Sequence, residues 1–481
     1  MTAPPPAAFG AENQMKWLAT FFSLILLSYP GLSQKKTQPA DVSKEVEART
    51  GHKINTAAKA ASWALPEGVS LDDGLTEDDA VAVALWNNPA LQAEMTALGL
   101  ARADLIEAGQ LRNPSLTLIF PFSTRILESV ANWPFEALWQ RPRRVAAAKL
   151  ELERVGESLV SRALDLVRDT RLAYIDYALS QRRASVAAEA TRERGEIATI
   201  VNARFRAGDI SELETSAARL DARLAEEQAT RFTHDVVIAR DRLRALLGVA
   251  NSEPGFEFIL APPTEPAGEP AGVDQSVGLR ARAATQAVSV ASDPSETLNG
   301  LIEQALDARP ELKAAQLAIE AAGQRAKWER SRILAVTAIA KEYGRGADGF
   351  EQGPGAQIEL PIFNRNKGGI SRAEAEIDRA AKQLIAARQR VVAEVREAYA
   401  QLTQARESGD LWRARLLPPL EDDIRSAERA YKAGDASYLF VLETTRRLTD
   451  ARLREIELRA AAARALIALE RSVGRRLIAN H

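Results

Sequence analysis

The sequence predicts a mainly α-helical protein made of two similar halves, each with one β-hairpin between helices. A short motif occurs twice, at 204–211 and 429–437, so that Gly208 and Gly434 are 226 residues apart. Alanine, leucine, glutamate and arginine dominate, as in long helices and coiled coils. Four short stretches alternate apolar and polar residues, which is the period of a β-strand. The unit of helix, hairpin, very long helix and returning helix therefore occurs twice.

The composition excludes several classes of function. The chain has 481 residues, 46% of them hydrophobic and 27% charged, and a formal net charge of −2. That balance gives no support to nucleic-acid binding, which usually shows as a basic patch. There is no cysteine, so disulfides, thiolate metal sites and cysteine nucleophiles are excluded. His52, His234 and His481 are too scattered to predict a metal site, and no cofactor is expected.

Residues 1–33 have the anatomy of a secretory signal peptide. An apolar run covers 17–29, Lys16 precedes it, and small residues stand before a cut expected after residue 33. Met15 is an alternative start, and a short buried helix is the competing interpretation of the run. The signal predicts an exported protein, which continues as an extended N-terminal segment at 34–74.

Helical patterning divides the remaining chain into a first half, a linker and a second half, at 75–250, 251–298 and 299–477. The linker is rich in proline, glycine, alanine and serine and shows little periodicity, as flexible connections do. Near the start of the first half, Thr76 precedes acidic residues suited to a helix N-terminus. Pro89 in the first half and Pro310 in the second are predicted to open the longer of two consecutive helices.

One β-hairpin is predicted in each half. In the first half residues 114–124 alternate, and Trp133, Phe135, Ala137 and Trp139 form a second alternating set. The second half offers a strand at 334–343, a glycine-rich loop at 344–355, and alternation at Ala356, Ile358 and Leu360.

The hairpins lead into very long helices, predicted at 143–205 and 369–431. At 1.5 Å per residue each would be roughly 90–100 Å long. A glycine in the left-handed conformation can end such a helix, and Asp or Ser just beyond it can cap the next one. We therefore expect a tight helix–turn–helix tip at each motif, from which a shorter helix returns to Gly248 or Gly474.

Four strands cannot close a barrel alone, because even small barrels need about eight. Strands exposed to lipid cannot leave their edges open. The hairpins therefore form either a small soluble sheet or part of a sheet to which several protomers contribute. Export and the alternating, aromatic strands favour the second possibility.

The paired motifs resemble those of the TolC-type outer-membrane efflux proteins, from about residue 75 to 477 without the linker. An Ala-Leu-x-x-x-Pro-x-Leu segment occurs at 84–91 and at 305–312, and Leu-Pro-Ile-Phe occupies 360–363 at the end of the last strand. Both tips contain Ala-Gly-Asp. The stretch Leu-Trp-Gln-Arg-Pro-Arg-Arg at 138–144 is more similar to the cation-efflux branch than to the drug branch.

This resemblance implies a homotrimer in which each protomer gives four strands to a shared 12-stranded β-barrel in the outer membrane of a Gram-negative bacterium. The helices would join a long α-helical tunnel in the periplasm. The channel would passively conduct metal cations or small toxic compounds. It would receive them from an inner-membrane pump of the RND type through a periplasmic adaptor (membrane fusion) protein. Neither catalysis nor a cofactor is implied.

The same resemblance implies two sets of functional residues. In the family the tips meet the adaptor's helical hairpins, so the implied docking positions are Ala207, Gly208, Asp209, Ser211, Ala433, Gly434, Asp435 and Ser437. Alternatively, these residues only form the turns. Phe440 and Glu443, one and two helical turns beyond the second tip, are candidates for a constriction of the tunnel. A solvated helix face explains Glu443 equally well, and Arg446 and Arg447 could neutralise it.

The chain departs from the family pattern in two respects. Many relatives carry lipid on a cysteine after the signal, and the absence of cysteine means that no such anchor is expected. The second half has no counterpart to Asn113 and Pro114, which introduce the first strand, and its first strand is weakly patterned.

A periplasmic coiled-coil adaptor or scaffold is the alternative function. It would also be exported and would meet partners through helical tips, but the duplication and the two well-patterned strands argue against it. An enzyme is least favoured, because the sequence contains no phosphate-binding glycine loop, metal-ligand spacing or Ser/His/Asp constellation.

Overall fold

The computed structural model describes residues 38–56, 63–70, 74–120, 127–249, 294–344, 350–433, 435 and 437–477. From Pro39 onward these residues belong to one compact unit. The predicted signal peptide at 1–33 and most of the predicted linker lie outside the described residues.

The described parts of the N-terminal segment and the first half contain five helices and two strands, of which the first helix belongs to the N-terminal segment. They are α1 (Pro39–Thr50), α2 (Glu77–Asn87), α3 (Pro89–Gly109), β1 (Ser115–Ile119), β2 (Leu127–Pro134), α4 (Glu136–Ala207) and α5 (Glu212–Leu246). The 72 residues of α4 span about 108 Å at 1.5 Å per residue.

The second half repeats this order with one interruption. Its elements are α6 (Pro294–Ala308), α7 (Pro310–Ser331), β3 (Ala335–Gly344), β4 (Phe350–Glu359), α8 (Lys367–Leu411), a π-helical segment (Trp412–Leu416), α9 (Leu417–Ala433) and α10 (Tyr438–Val473). The segment, α8 and α9 together correspond to the single helix α4. The predicted duplication of helix, hairpin, long helix and returning helix is confirmed.

The N-terminal segment is not extended throughout, as the sequence led us to expect. Residues 39–50 form α1, which buries Val42 and Val46 against the core of the first half. These apolar residues stand four apart, on one face of a helix, but the polar residues around them hide that pattern. The linker prediction is also wrong at its end, because residues 294–298 belong to α6.

The predicted starts of the helices agree with the structure. Thr76 caps α2 through a capping box, in which its hydroxyl accepts from the Asp79 backbone N–H at 3.1 Å. Pro89 and Pro310 occupy the first turns of α3 and α7, where the missing N–H costs nothing. Gly248, with φ of +72°, lies so close to Asn87 that a Cβ would stand 2.5 Å from that residue's carbonyl oxygen.

The two hairpins join in one antiparallel four-stranded sheet with the order β1-β2-β3-β4. The central pair β2–β3 connects the two halves, with Leu127 opposite Gly344 and Pro134 opposite Thr337. We predicted the second strand too late, around 133–139, because the alternation continues by chance into the first turn of α4. Ala137 and Trp139 are helical.

The last strand begins earlier than predicted. Residues 350–355, which we assigned to a glycine-rich loop, are part of β4, and Gly353 and Gly355 pair with Lys341 and Ile339. Pro354 is compatible with this strand because β4 lies at the edge of the sheet, where one row of N–H groups has no partner strand. No helix in the described part of the chain is long and apolar enough to cross a membrane.

Helix α4 lies at the centre of the helical part. It packs against α3 and α5 of its own half and against α7 and α10 of the other half, while α8 packs against α6, α7 and α10. Buried Ile175 and Leu179 of α4 meet Ala460, Ala463 and Ile467 of α10 between the halves. Consequently α3, α5 and β1 form one flank of the protomer, and α8 and β4 form the other.

Candidate functional site at the helical tips

The first tip, residues 207–211, is a compact turn in which backbone and cap groups satisfy one another. Gly208 ends α4 in the left-handed conformation, with φ of +84°, and the Asp209 N–H bonds to the Arg204 carbonyl at 3.0 Å. Ser211 then caps α5 through a capping box with Glu214, whose backbone N–H donates to the Ser211 hydroxyl at 3.2 Å. Ala207, Gly208, Asp209 and Ser211 are all exposed.

The second tip, residues 433–437, begins in the same way but starts its returning helix differently. The Asp435 N–H bonds to the Ala430 carbonyl at 2.9 Å, the counterpart of the Asp209 bond. Ser437 is the N-cap of α10, but its side chain makes no capping bond, and the Phe440 N–H donates instead to the Ser437 carbonyl at 3.1 Å. With Phe rather than Glu at position 440, the reciprocal bond of a capping box is also missing. Ala433, Asp435 and Ser437 are exposed, and Gly434 lies outside the described residues.

The fold brings the two tips together. Buried Val201 and Ala218 of the first hairpin pack with Leu442 of α10, and Ile210 and Tyr431 line the same cluster. The guanidinium of Arg204 lies 4.6 Å from the centre of the Tyr431 ring, within cation–π range. The predicted docking positions of the two halves therefore belong to one end of the protomer.

A buried carboxylate fastens α10 to the first hairpin just behind the tips. The side chain of Asp221 is 1% exposed and accepts from Arg446 of α10, with the closest nitrogen at 2.5 Å. Arg194 of α4 approaches the other oxygen of the same carboxylate at 3.5 Å. This arrangement corrects our expectation that Arg446 would neutralise Glu443.

Phe440 and Glu443, the predicted constriction residues, are both exposed on α10. Glu443 pairs with Arg447 one helical turn later, at 2.9 Å. Its charge is therefore partly compensated within its own helix. Leu439 is exposed beside Phe440, so α10 begins with an apolar surface where α5 begins with an acidic one.

Sequence reasoning missed Asp221, Arg194 and the Arg204–Tyr431 contact. One signal was available, because Thr215, Ala218, Asp221 and Ala225 follow each other at intervals of three or four residues and form the buried stripe of α5. A carboxylate in such a stripe predicts a cationic partner, since an unpaired buried charge is very costly. The partner itself lies in the other half and could not be read from the pattern.

A second network of ion pairs joins the halves at the opposite end of α10, about 48 Å from its start at 1.5 Å per residue. Arg171 of α4 pairs with Glu77 of α2 and Glu470 of α10, and all three side chains are nearly inaccessible. Burial lowers the pKa of Arg171, but the two carboxylates outweigh that effect and raise it.

Glu311 of α7 takes part in a neighbouring group of charges. It accepts from Arg471 at 2.5 Å, and Arg471 also donates to Asp165 at 2.9 Å. Burial opposes ionisation of Glu311, but Arg471 and Arg309 prevail and lower the pKa of this carboxyl to about 2. In the described part of the chain no group of three or more His, Cys, Asp or Glu residues is arranged to hold a metal ion.

Residues 301–475, from α6 to the end of α10, match the family model of the outer membrane efflux proteins. The first half repeats the same unit. The chain is therefore similar to the outer membrane efflux proteins, whose family model its second half matches. It is 25% identical to the cobalt-zinc-cadmium resistance protein CzcC of Cupriavidus metallidurans over 406 residues, which cover 83% of this chain and 90% of CzcC.

Two solved structures have the same fold. CusC, whose structures concern transmembrane channel formation, gives a TM-score of 0.63 at 18% identity, over 87% of this chain and 98% of CusC. The outer membrane protein VceC of Vibrio cholerae gives a TM-score of 0.64 at 19% identity, over 84% and 97% of the two chains. The predicted resemblance to the TolC-type outer-membrane efflux proteins is confirmed.

Proposed function

We propose that the protein is the outer-membrane channel of a tripartite efflux system and acts as a homotrimer. The observation that carries this proposal is the sheet, whose outer strands β1 and β4 expose apolar side chains such as Leu118 and Ile358 and have no partner strand at their outer edges within the described residues. Its β1 strand is exposed throughout, including Leu116 at 65%, and Phe120 just beyond it is 70% exposed. A sheet in water would cover its apolar face with other elements, whereas lipid would cover this one.

The two flanks of the protomer support closure into a ring. A free edge strand in lipid would leave its N–H and C=O groups without partners, so β1 of one protomer needs β4 of the next. The same head-to-tail contact would bring α3 and α5 of one protomer against α8 of its neighbour. Such a contact between two different surfaces gives a ring when the rotation closes. Three protomers would supply the 12 strands of a shared barrel, above a tunnel of long helices.

The tips are proposed to dock a periplasmic adaptor, which would connect the channel to an RND-type pump in the inner membrane. Support comes from their exposure and from their position side by side at the end of the helices farthest from the sheet. Small residues at 207–208 and at Ala433 allow the backbone of a partner hairpin to approach closely. Phe440 and Glu443 would narrow the tunnel next to this contact, with Arg447 moderating the charge of a Glu443 ring.

The proposed cargo is divalent metal cations of the kind named for CzcC, cobalt, zinc and cadmium. Similarity to CzcC over most of both chains supports this choice. The channel itself would conduct passively, and selection would rest with the pump.

The first test is the oligomeric mass of the protein after detergent extraction from isolated outer membranes. We expect a complex of about three times the chain mass of 52.4 kDa. A monomer or dimer that leaves the membrane fraction in salt without detergent would contradict the channel and favour a periplasmic scaffold.

The proposed cargo is tested by deleting the gene. Its loss should raise the cellular content of cobalt, zinc or cadmium, and unchanged content would contradict the proposed cargo.

Docking is tested by reversing the charge at both tips, with Asp209→Lys and Asp435→Lys in one variant. We expect the variant to remain trimeric but to lose adaptor co-purification and metal efflux. Asp450→Lys is the matched control, because Asp450 is exposed on α10 about 20 Å beyond the tip. Equal adaptor binding by both variants would assign the tip residues to the turns alone.

A further inference from the structure

A group of four arginines lies where the first hairpin meets the helices, and neither docking nor conduction gives it a role. Its members are Arg112, Arg141, Arg143 and Arg144, which we call the arginine cluster. Arg112 precedes β1, and the other three follow β2 within the first three turns of α4. The cluster therefore stands at the helix side of the sheet, at the level where β1 begins and β2 ends.

Backbone contacts hold three of the arginines in place, two against the end of α3 and one against α7. Arg141 donates through Nε to the Gly109 carbonyl at 2.6 Å, and Arg144 donates through Nη2 to the Gln110 carbonyl at 3.0 Å. Both carbonyls lie at the C-terminus of α3, which favours cations. Arg143 donates to the Lys327 carbonyl at 2.9 Å. A guanidinium has five N–H donors, so each arginine keeps donors for a further ligand.

Positive charge in the cluster is poorly compensated. Within the described residues, none of the four arginines forms an ion pair with a carboxylate, unlike Arg171 or Arg446. Burial lowers the pKa of the Arg144 guanidinium, and the neighbouring charges of Arg112 and Arg141 lower it further, although Glu107 opposes them. Arg112, Arg141 and Arg144 are close enough for their charges to act on one another, and an anion would stabilise them.

Apolar side chains border the cluster. Leu111, Leu138 and Trp139 are exposed, and the last two lie on the first turn of α4, just before the arginines. Trp beside Arg is the combination found at the boundary between hydrocarbon and water, where the indole lies among the lipid headgroups and the arginine reaches the phosphates.

We propose that the arginine cluster binds the phosphate headgroup of an anionic phospholipid at the periplasmic surface of the outer membrane. Guanidinium groups bind phosphate oxygens in a bidentate geometry, and these charge-assisted bonds offset the cost of removing water from both groups. Leu138 and Trp139 lie beside the upper part of the acyl chains. The inference rests on the proposed function, because it requires the strands to lie in the membrane. A bound lipid would fix the depth of the sheet in the bilayer.

The test uses the full-length protein reconstituted in nanodiscs of phosphatidylethanolamine, with or without a minor fraction of phosphatidylglycerol. Lipids retained after detergent release are counted by native mass spectrometry. The variant is R112Q/R143Q, which leaves the Arg141 and Arg144 contacts with α3 in place. R162Q/R390Q is the control, since both arginines are exposed, form no ion pair within the described residues, and Arg162 lies about 30 Å along α4 from Arg141.

We expect the wild type and the control to retain phosphatidylglycerol in preference to phosphatidylethanolamine. Each arginine near an anionic surface contributes about fivefold to binding, so R112Q/R143Q should reduce that preference about 25-fold. Equal retention by all three proteins would overturn the inference, as would inorganic phosphate that displaces the lipid at comparable concentration, since a soluble ligand would then account for the site. Failure to enter phosphatidylethanolamine nanodiscs would instead contradict the channel itself.

Discussion

The long helix of the first half runs 72 residues without a break, whereas its counterpart in the second half changes to π-helix at Trp412–Leu416. Pro418 and Pro419 follow the π-helical segment, and a proline ring clashes with the carbonyl one turn before it. No residue of the segment is buried, whereas α4 is packed by other helices on several sides. The duplicated long helix therefore tolerates an irregular turn only in the second half, where it borders the flank formed by α8 and β4.

The tips differ in a parallel way. Ser211 and Glu214 form a closed capping box, whereas Ser437 has no side-chain bond and precedes exposed Leu439 and Phe440. The first half thus has a continuous long helix and a polar tip whose cap bonds are all made. The second half has an interrupted long helix and a partly apolar tip. If one half moves relative to the other, we expect it to be the second.

The buried ion pairs around Arg171 and Arg471, which we call the seam, join the two halves. Breaking them should have the largest effect on stability. Arg171→Met leaves Glu77 and Glu470 buried without their cation, and we expect the free energy of unfolding to fall by about 3–5 kcal/mol. Guanidinium unfolding of the detergent-extracted protein, followed by far-UV circular dichroism, measures the change. Arg162→Met, on an exposed position of the same helix, is the control. Similar losses in both variants would mean that the seam is not special.

Glu311 should make the seam sensitive to acid. Its pKa in the folded protein, about 2, is below the unfolded value of 4.5, so the carboxylate stabilises the fold above pH 4.5. That contribution, about 2–3 kcal/mol, is lost as the pH falls from 4.5 towards 2. Urea unfolding at several pH values should therefore show a deficit for Glu311→Gln at neutral pH that disappears near pH 2. Glu443→Gln, at an exposed pair, should show almost none at any pH.

The two serine caps provide a smaller and direct comparison of the tips. Ser211→Ala removes the acceptor for the Glu214 N–H and should cost about 1 kcal/mol, while Ser437→Ala removes no capping bond and should be nearly neutral. Thermal unfolding of both variants measures the difference. Equal shifts in Tm would indicate that Ser437 caps α10 in solution after all.

The last prediction needs no substitution and compares the local stability of the two long helices. Hydrogen exchange at equilibrium should be roughly tenfold faster at residues 412–417 than at the corresponding residues 186–191 of α4, because the π-helical bonds are poorer and solvent reaches them. Residues 424–427 of α9, which include buried Ile424 and Ala427, serve as the internal reference. Equal protection at 412–417 and 186–191 would remove the proposed difference in rigidity.

Strongly periodic or capped elements were predictable from the sequence. Pro89, Pro310 and Thr76 mark helix starts by local chemistry, and the long helices carry enough turns for their pattern to be unambiguous. The predicted strand boundaries failed where only a few residues decide between a strand and a helix or loop. The alternation of Trp133, Phe135, Ala137 and Trp139 fits strand and helix alike, and β4 includes glycines and a proline that by themselves favour a loop. The pairing of β2 with β3 decided both boundaries.

In the candidate site, too, the local features were predictable from the sequence and the long-range contacts were not. The motif at 204–211 determined a helix–turn–helix tip, because Gly208 needs no help to adopt the left-handed conformation and Ser211 finds Glu214 three residues away. Spacing along α10 led us to pair Arg446 with Glu443, whereas its partner is Asp221 on α5, which that spacing could not indicate. By itself the sequence determined the duplicated order of elements, since caps and periodicity act within a few residues. Tertiary structure decided how the halves meet, since buried charges take partners hundreds of residues away in the chain.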